Sequence, residues 1–152
     1  MSQLDTKIVL LDPELKLEYA TPGSAAFDVR SVEEDFFLRP SEQRLVRLGF
    51  KIAVPPGYAG FLLPRSGLSL KHWVSATLEL GNRVGLIDSD FTGGVQAIVR
   101  HEGRDMNGVW VRKYDRIGQF VVMPVAQCRF QFVESLDETE RGEGGFGHSG
   151  VE

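Results

Sequence analysis

The sequence has a single cysteine, Cys128, among 152 residues, so no internal disulfide and no cysteine-based zinc cluster can form. No apolar run approaches the ~20 residues of a membrane-spanning helix. The start, MSQLDTK, lacks the basic-then-apolar pattern of a secretory signal. These absences predict a soluble cytoplasmic protein with no membrane partner. There is no excess of basic charge either: 17 Lys and Arg face 21 Asp and Glu, for a net charge of −4. That balance argues against broad contact with a nucleic-acid backbone, and no nucleic-acid partner is expected. A small anionic ligand stays open, because a few local arginines outweigh the global charge at short range. His72, His101 and His148 are too scattered for a zinc triad and form no H-E-x-x-H pair. No G-x-S-x-G elbow or Ser-His-Asp set is present, which weighs against acyl transfer.

What is present is the material of one globular domain: 42% hydrophobic residues, 25% charged residues and ten Phe. A chain of this length buries roughly 70% of its unfolded surface and needs no staple. Val46, Leu48, Phe50 and Ile52 alternate with Arg47, Gly49 and Lys51, the period of a half-buried strand. Cys128, Phe130 and Phe132 alternate with Arg129 and Gln131 in the same way. KIVLLD, FDVRSV, FFLRP, YAGFLLP, VGLID, VQAIVRHE and FVVMPV add further short β-rich runs. Turn signals such as Thr21-Pro22-Gly23, Pro55-Pro56-Gly57 and Thr92-Gly93-Gly94 separate them. No stretch sustains a helical period, and SLKHW allows at most a turn or two. The pattern predicts an all-β jelly roll or a related closed architecture. After a last strand ending near Glu134 the composition turns polar and Gly-rich. Residues 1–134 therefore read as the folded domain and 135–152 as a flexible arm, either a disordered end or a segment that orders on a ligand.

Several stretches carry chemistry. In Arg141-Gly142-Glu143-Gly144-Gly145-Phe146-Gly147-His148-Ser149-Gly150 the glycines let backbone N–H groups approach phosphate oxygens, while Arg, His and Ser add donors. Phe146 has no core to join but can cap a planar ring. The Gly-Lys-Ser/Thr of a nucleotide P-loop is absent. Pro64-Arg65-Ser66-Gly67-Leu68 follows an apolar strand and exposes a guanidinium, a hydroxyl and main-chain N–H groups; on its own it equally fits an ordinary turn. In Gly85-Leu86-Ile87-Asp88-Ser89-Asp90-Phe91-Thr92-Gly93, two carboxylates at i and i+2 share a face if extended. They could activate water, hold a metal through its waters, or make an Asp turn. Asp28 is an acid inside an apolar strand pattern, and Gln119 a polar residue inside another, which must find partners if buried.

Taken in order, SAAFDVRS, PRSGLSLKH, GNRVGLIDSDFTGG, DRIGQF and RGEGGFGHSG resemble the five motifs of the trimeric dUTPase (deoxyuridine triphosphate nucleotidohydrolase) family, nearly end to end. The resemblance implies a distorted, β-clip-like jelly-roll subunit in a homotrimer, with three active sites each built from all three chains and closed by a C-terminal arm. It implies Mg²⁺-dependent hydrolysis of dUTP to dUMP and pyrophosphate. By matching position, Asp88 is the general base for in-line attack of water on the α-phosphorus, and Gln119 contacts the α-phosphate or that water. Arg65, Ser66 and Gly67 match phosphate contacts, Asn82 and its hairpin the uracil-reading element, and Phe91 the ring that packs on the deoxyribose, where the family usually has Tyr. Asp28 matches a partner of Mg²⁺ through water. Arg141, Phe146, Gly147, His148 and Ser149 match the arm, with Phe146 over uracil and the polar groups toward the outer phosphates. The stretch between Pro64 and Asp88 is longer than the bacterial pattern, with VSATLEL filling it. Two alternatives share the fold: a dCTP deaminase-like enzyme, for which the strand VQAIVRHE offers only Glu102, and a nucleotide-gated regulatory protein.

Overall fold

The structure is a computed structural model that describes residues 4–65, 78–102 and 107–145. Among these residues the chain forms strands and no helix: β1 (Lys7–Leu10), β2 (Phe27–Arg30), β3 (Phe36–Leu38), β4 (Gln43–Arg47), β5 (Phe50–Ala53), β6 (Tyr58–Leu63), β7 (Leu78–Leu80), β8 (Gly85–Ile87), β9 (Gln96–His101), β10 (Val109–Val111) and β11 (Arg116–Pro124). The strand order is β2-β11-β6-β8 in the largest sheet and β4-β9-β7 in a second, with the ribbons β1-β5 and β10-β3 completing the layers. Every pairing is antiparallel. The architecture is all-β, as the alternating pattern predicts. No helix among the described residues is long and apolar enough to cross a membrane. The SLKHW stretch and the longer segment before Leu78 lie outside the described residues.

One core joins the layers. Phe27 of β2, Phe50 of β5 and Phe120 of β11 meet with ring centroids 5.4 to 6.1 Å apart, surrounded by buried Val29, Leu38, Val46, Leu62 and Ile117. Each such side chain, fully buried, stabilises by roughly 1.5–3 kcal/mol. Gly60 on β6 lies under the Phe120 ring, where a Cβ would fall 2.3 Å from Cζ. A side chain at that position cannot coexist with the ring.

The alternation over Val46, Leu48, Phe50 and Ile52 holds as burial, since all four are in the core. It does not hold as one strand. The chain breaks at Leu48-Gly49, and β4 pairs with β9 while β5 pairs with β1. Gly49 sits at φ +74, and a Cβ there would come 2.6 Å from Val32 Cγ1. Glycine is needed because the strand changes sheets at a left-handed residue packed against a side chain. Just before the break, Arg47 meets Glu33 through Nε–Oε1 at 2.7 Å and Nη2–Oε2 at 2.9 Å. That bidentate hydrogen bond holds the Glu33 carboxyl below the usual carboxylate range, against the desolvation that raises it.

The strand expected over Cys128–Phe132 is absent. β11 ends at Pro124, and Val125 N–H donates to Gly57 O at 2.9 Å as the last tie to the sheet. Beyond it Phe130 is 81% and Phe132 95% exposed. Strand geometry requires a pairing edge, and within one chain this alternating segment meets none among the described residues.

Candidate active site

The largest sheet aligns two site positions in one row. Gln119 on β11 is registered with Asp28 on β2 on one side and with Leu63 on β6 on the other. Phe27 and Val29 point into the core, so Asp28 between them projects to the opposite face. Just past β6, Arg65 Nε lies 2.7 Å from Asp28 Oδ1; both side chains are mostly covered, at 23% and 21% exposed. Gln119 Nε2 donates to Pro64 O at 2.8 Å, which ties the start of the Pro64-Arg65 turn to β11. The polar glutamine thus has the partner that its place in an apolar strand demands. Sequence reasoning missed a fourth member. Arg116 Nη1 donates to Asp28 Oδ2 at 3.2 Å. Arg116 and Gln119 differ by three positions and would face opposite ways on a regular strand. The register between β11 and β2 shifts between Arg116 and Gly118, and such a bulge re-aims a side chain. The DRIGQF motif was the available signal, but its spacing alone points Arg116 the wrong way.

Asp28 therefore carries two guanidiniums, and the corner is a compact arrangement with a formal excess of one positive charge, which suits an anion. Among the described residues no group of three or more His, Cys, Asp or Glu could hold a metal ion. An Asp already held by two arginines is poorly placed as a direct metal ligand. It fits a cation carried by phosphate oxygens and water, which is how Mg²⁺ is commonly bound beside polyphosphates.

Asp88 lies elsewhere. β8 pairs with β6 in the register Gly60↔Ile87 and Leu62↔Gly85, which places Asp88 beside Ala59, at the far end of β6 from Arg65. At the usual rise per residue the separation is on the order of 20 Å. Asp88, Ser89 and Asp90 are exposed, and Phe91 N–H donates to Asp88 O at 3.2 Å, closing a turn. The Phe91 ring folds over Gly93, where a Cβ would fall 2.6 Å from its Cζ, and stays partly open to solvent. Asn82 is exposed in the turn before β8, where Arg83 takes φ 59 and Gly81 N–H donates to Ile98 O at 2.7 Å. Arg141 belongs to none of these groups: its Nε donates to Gly144 O at 2.7 Å, within a turn of the exposed tail. The predicted contacts Ser66, Gly67, Phe146, Gly147, His148 and Ser149 lie outside the described residues. One chain thus brings Asp28, Arg65 and Gln119 together and keeps Asp88 and Arg141 apart from them.

Fold and corner together define an all-β protein with a preassembled, net-positive corner on its largest sheet. The chain belongs to the dUTPase family, whose model, described as dUTPase, matches residues 15–150. It is 45% identical over 157 residues to a deoxyuridine 5'-triphosphate nucleotidohydrolase of Pseudomonas fluorescens, covering 99% of both chains. A protein of the same name from Haemophilus influenzae is 43% identical, again over 99% of both. Among solved structures, the dUTPase of Staphylococcus bacteriophage 80alpha with dUPNHPP superposes with a TM-score of 0.85 at 25% identity, covering 98% of this chain and 100% of that one. The jelly-roll expectation stands with these likenesses.

Proposed function

We propose that this protein hydrolyses dUTP to dUMP and pyrophosphate at a site assembled between three copies of the chain. The observation that carries the reading is the corner in which Asp28 holds Arg65 beside Gln119, in a member of the dUTPase family. Arg65, with Ser66 and Gly67, binds the phosphate chain; guanidinium forks suit phosphate oxygens bidentately. Gln119 fixes the Pro64 turn and faces the α-phosphate or the attacking water. Asp88 takes the proton from that water as it attacks the α-phosphorus in line. Asn82 and its hairpin read uracil, and the Phe91 ring packs on the deoxyribose, leaving no room for a 2′-hydroxyl.

Because Asp88 sits at the other end of the sheet from Arg65, the base that completes this corner comes from a second copy. A homotrimer is further supported by the exposed Phe130 and Phe132, which lack a partner edge among the described residues. Residues 1–134 serve as the hydrolase body and 135–152 as the arm, in which Arg141, His148 and Ser149 meet the outer phosphates and Phe146 with Gly147 covers uracil. Mg²⁺, when bound with the triphosphate, withdraws charge from the phosphate oxygens; Asp28 would hold it through water. The working location is the cytoplasm. A deaminase-like reading is not favoured: its only candidate acid, Glu102, lies past the end of β9 and faces Arg83 Nη2 at 4.0 Å. Supplying dUTP, dCTP, dTTP and UTP separately with Mg²⁺ tests the proposal. Pyrophosphate from dUTP alone is expected; ammonia from dCTP, or pyrophosphate from all four, overturns it.

A further inference from the structure

We propose that Arg116 is a positioning residue for the polyphosphate, acting through Asp28 on Arg65; this rests on the reading of Arg65 as a phosphate contact. The backbone fixes its direction. At the bulge that turns Arg116 toward Asp28, Gly118 is buried so closely that a Cβ there would lie 3.2 Å from Val29 Cγ2 and 3.3 Å from both Leu62 Cδ1 and Leu63 O. The bulge is therefore clamped between β2 and β6, and the Arg116 guanidinium emerges on the Asp28 face by geometry of the main chain.

The two arginines divide the carboxylate: Arg65 takes Oδ1 and Arg116 takes Oδ2. Arg116 is the more open of the two, at 49% against 23% exposed. Each guanidinium carries five N–H donors, so its contact with Asp28 consumes a small part of its capacity. The charge count gives Arg116 its role. With both arginines the corner holds one uncompensated positive charge. With Arg65 alone, Asp28 neutralises it, and the guanidinium that should draw a phosphate is held in a closed pair. Arg116 thus keeps Arg65 available by sharing its counterion, while the carboxylate keeps two like charges close together.

The test measures kcat and KM for dUTP in Arg116→Gln, Arg116→Lys and Arg65→Gln, together with the affinity of each for a non-hydrolysable dUTP analogue and for dUMP. Arg116→Gln is expected to weaken the analogue and raise KM about ten-fold, the loss typical of a charge-assisted contact. Its kcat falls by less, and its affinity for dUMP stays unchanged. Arg116→Lys restores the charge and recovers part of the loss. If Arg65→Gln weakens the analogue while Arg116→Gln binds it like the wild type, the inference falls and the phosphate reading stands. If Arg65→Gln itself leaves analogue affinity intact, the phosphate reading falls. Equal losses in Arg116→Lys and Arg116→Gln, with unchanged melting temperatures, overturn the charge account.

Discussion

The two ends of the β6–β8 pair are built differently. At the Arg65 end, the side chains of Asp28, Arg65 and Arg116 are joined by contacts of 2.7 to 3.2 Å within one chain, and Gln119 ties down the Pro64 carbonyl at 2.8 Å. At the Asp88 end, two carboxylates and a phenylalanine stand exposed in a turn closed by backbone alone. The first end is preorganised, and its cost is met by the fold of the monomer. The second has its shape but not its company. On the proposed reading, Asp88 is a proton acceptor open to water in the subunit, and it would act on substrate only beside the Arg65 corner of a neighbouring copy. That reading allots binding and chemistry to opposite ends of one sheet and leaves their meeting to the proposed assembly.

The largest effect is expected from separating the two ends by mutation. Asp88→Asn should retain nucleotide binding and lose roughly 10²–10⁴ in kcat, the usual contribution of a general base; normal turnover would remove Asp88 from that role. Refolding Asp88→Asn together with Arg65→Gln in equal amounts sharpens the contrast. If the ends act in trans, about a quarter of all sites in a random mixture of trimers carry both native residues and activity reappears. If they act in cis, none is recovered. A smaller effect is expected at Phe91, where Phe91→Ala should admit UTP several-fold better relative to dUTP, on the order of the loss of one packed ring contact. Discrimination measured as a ratio of kcat/KM values reports this, and an untouched ratio places the sugar filter elsewhere. The smallest concerns the body that carries both ends. Glu33 is held below its ordinary value of 4.5 by Arg47, so its ion pair stabilises the fold above that pH and is lost as pH falls through the lowered value. Thermal melts between neutral and acid pH should show Glu33→Gln slightly less stable at neutrality, with a flatter decline below about pH 4.5.

Much of this was legible in the sequence. Period-two alternation located β5, and short β-rich runs bounded by turn signals located β2, β6, β9 and β11. The motifs place Asp28 and Gln119 inside strands and Arg65 just after one; the sheet register joins the first two, and a side-chain ion pair brings in the third. Three features were not legible, each for a different physical reason. The break at Gly49 keeps the burial rhythm while changing sheets, and alternation does not report a positive φ. Arg116 was passed over because a bulge adds a residue to one strand only, inverting the face that spacing assigns. The alternation around Phe130 and Phe132 describes a segment suited to pairing without saying that the edge it needs lies in the same chain. The resemblance gives Asp28 as a partner of Mg²⁺ through water; spacing does not show that two guanidiniums already claim it.

On the proposed assembly, the bare rings of Phe130 and Phe132 would set a lower limit on how dilute this protein can be and still work. A lone subunit carries two large apolar side chains in water just beyond its last β-sheet tie, and shielding them is a bimolecular event. If the copies assemble as proposed, specific activity should therefore decline on dilution before the fold does.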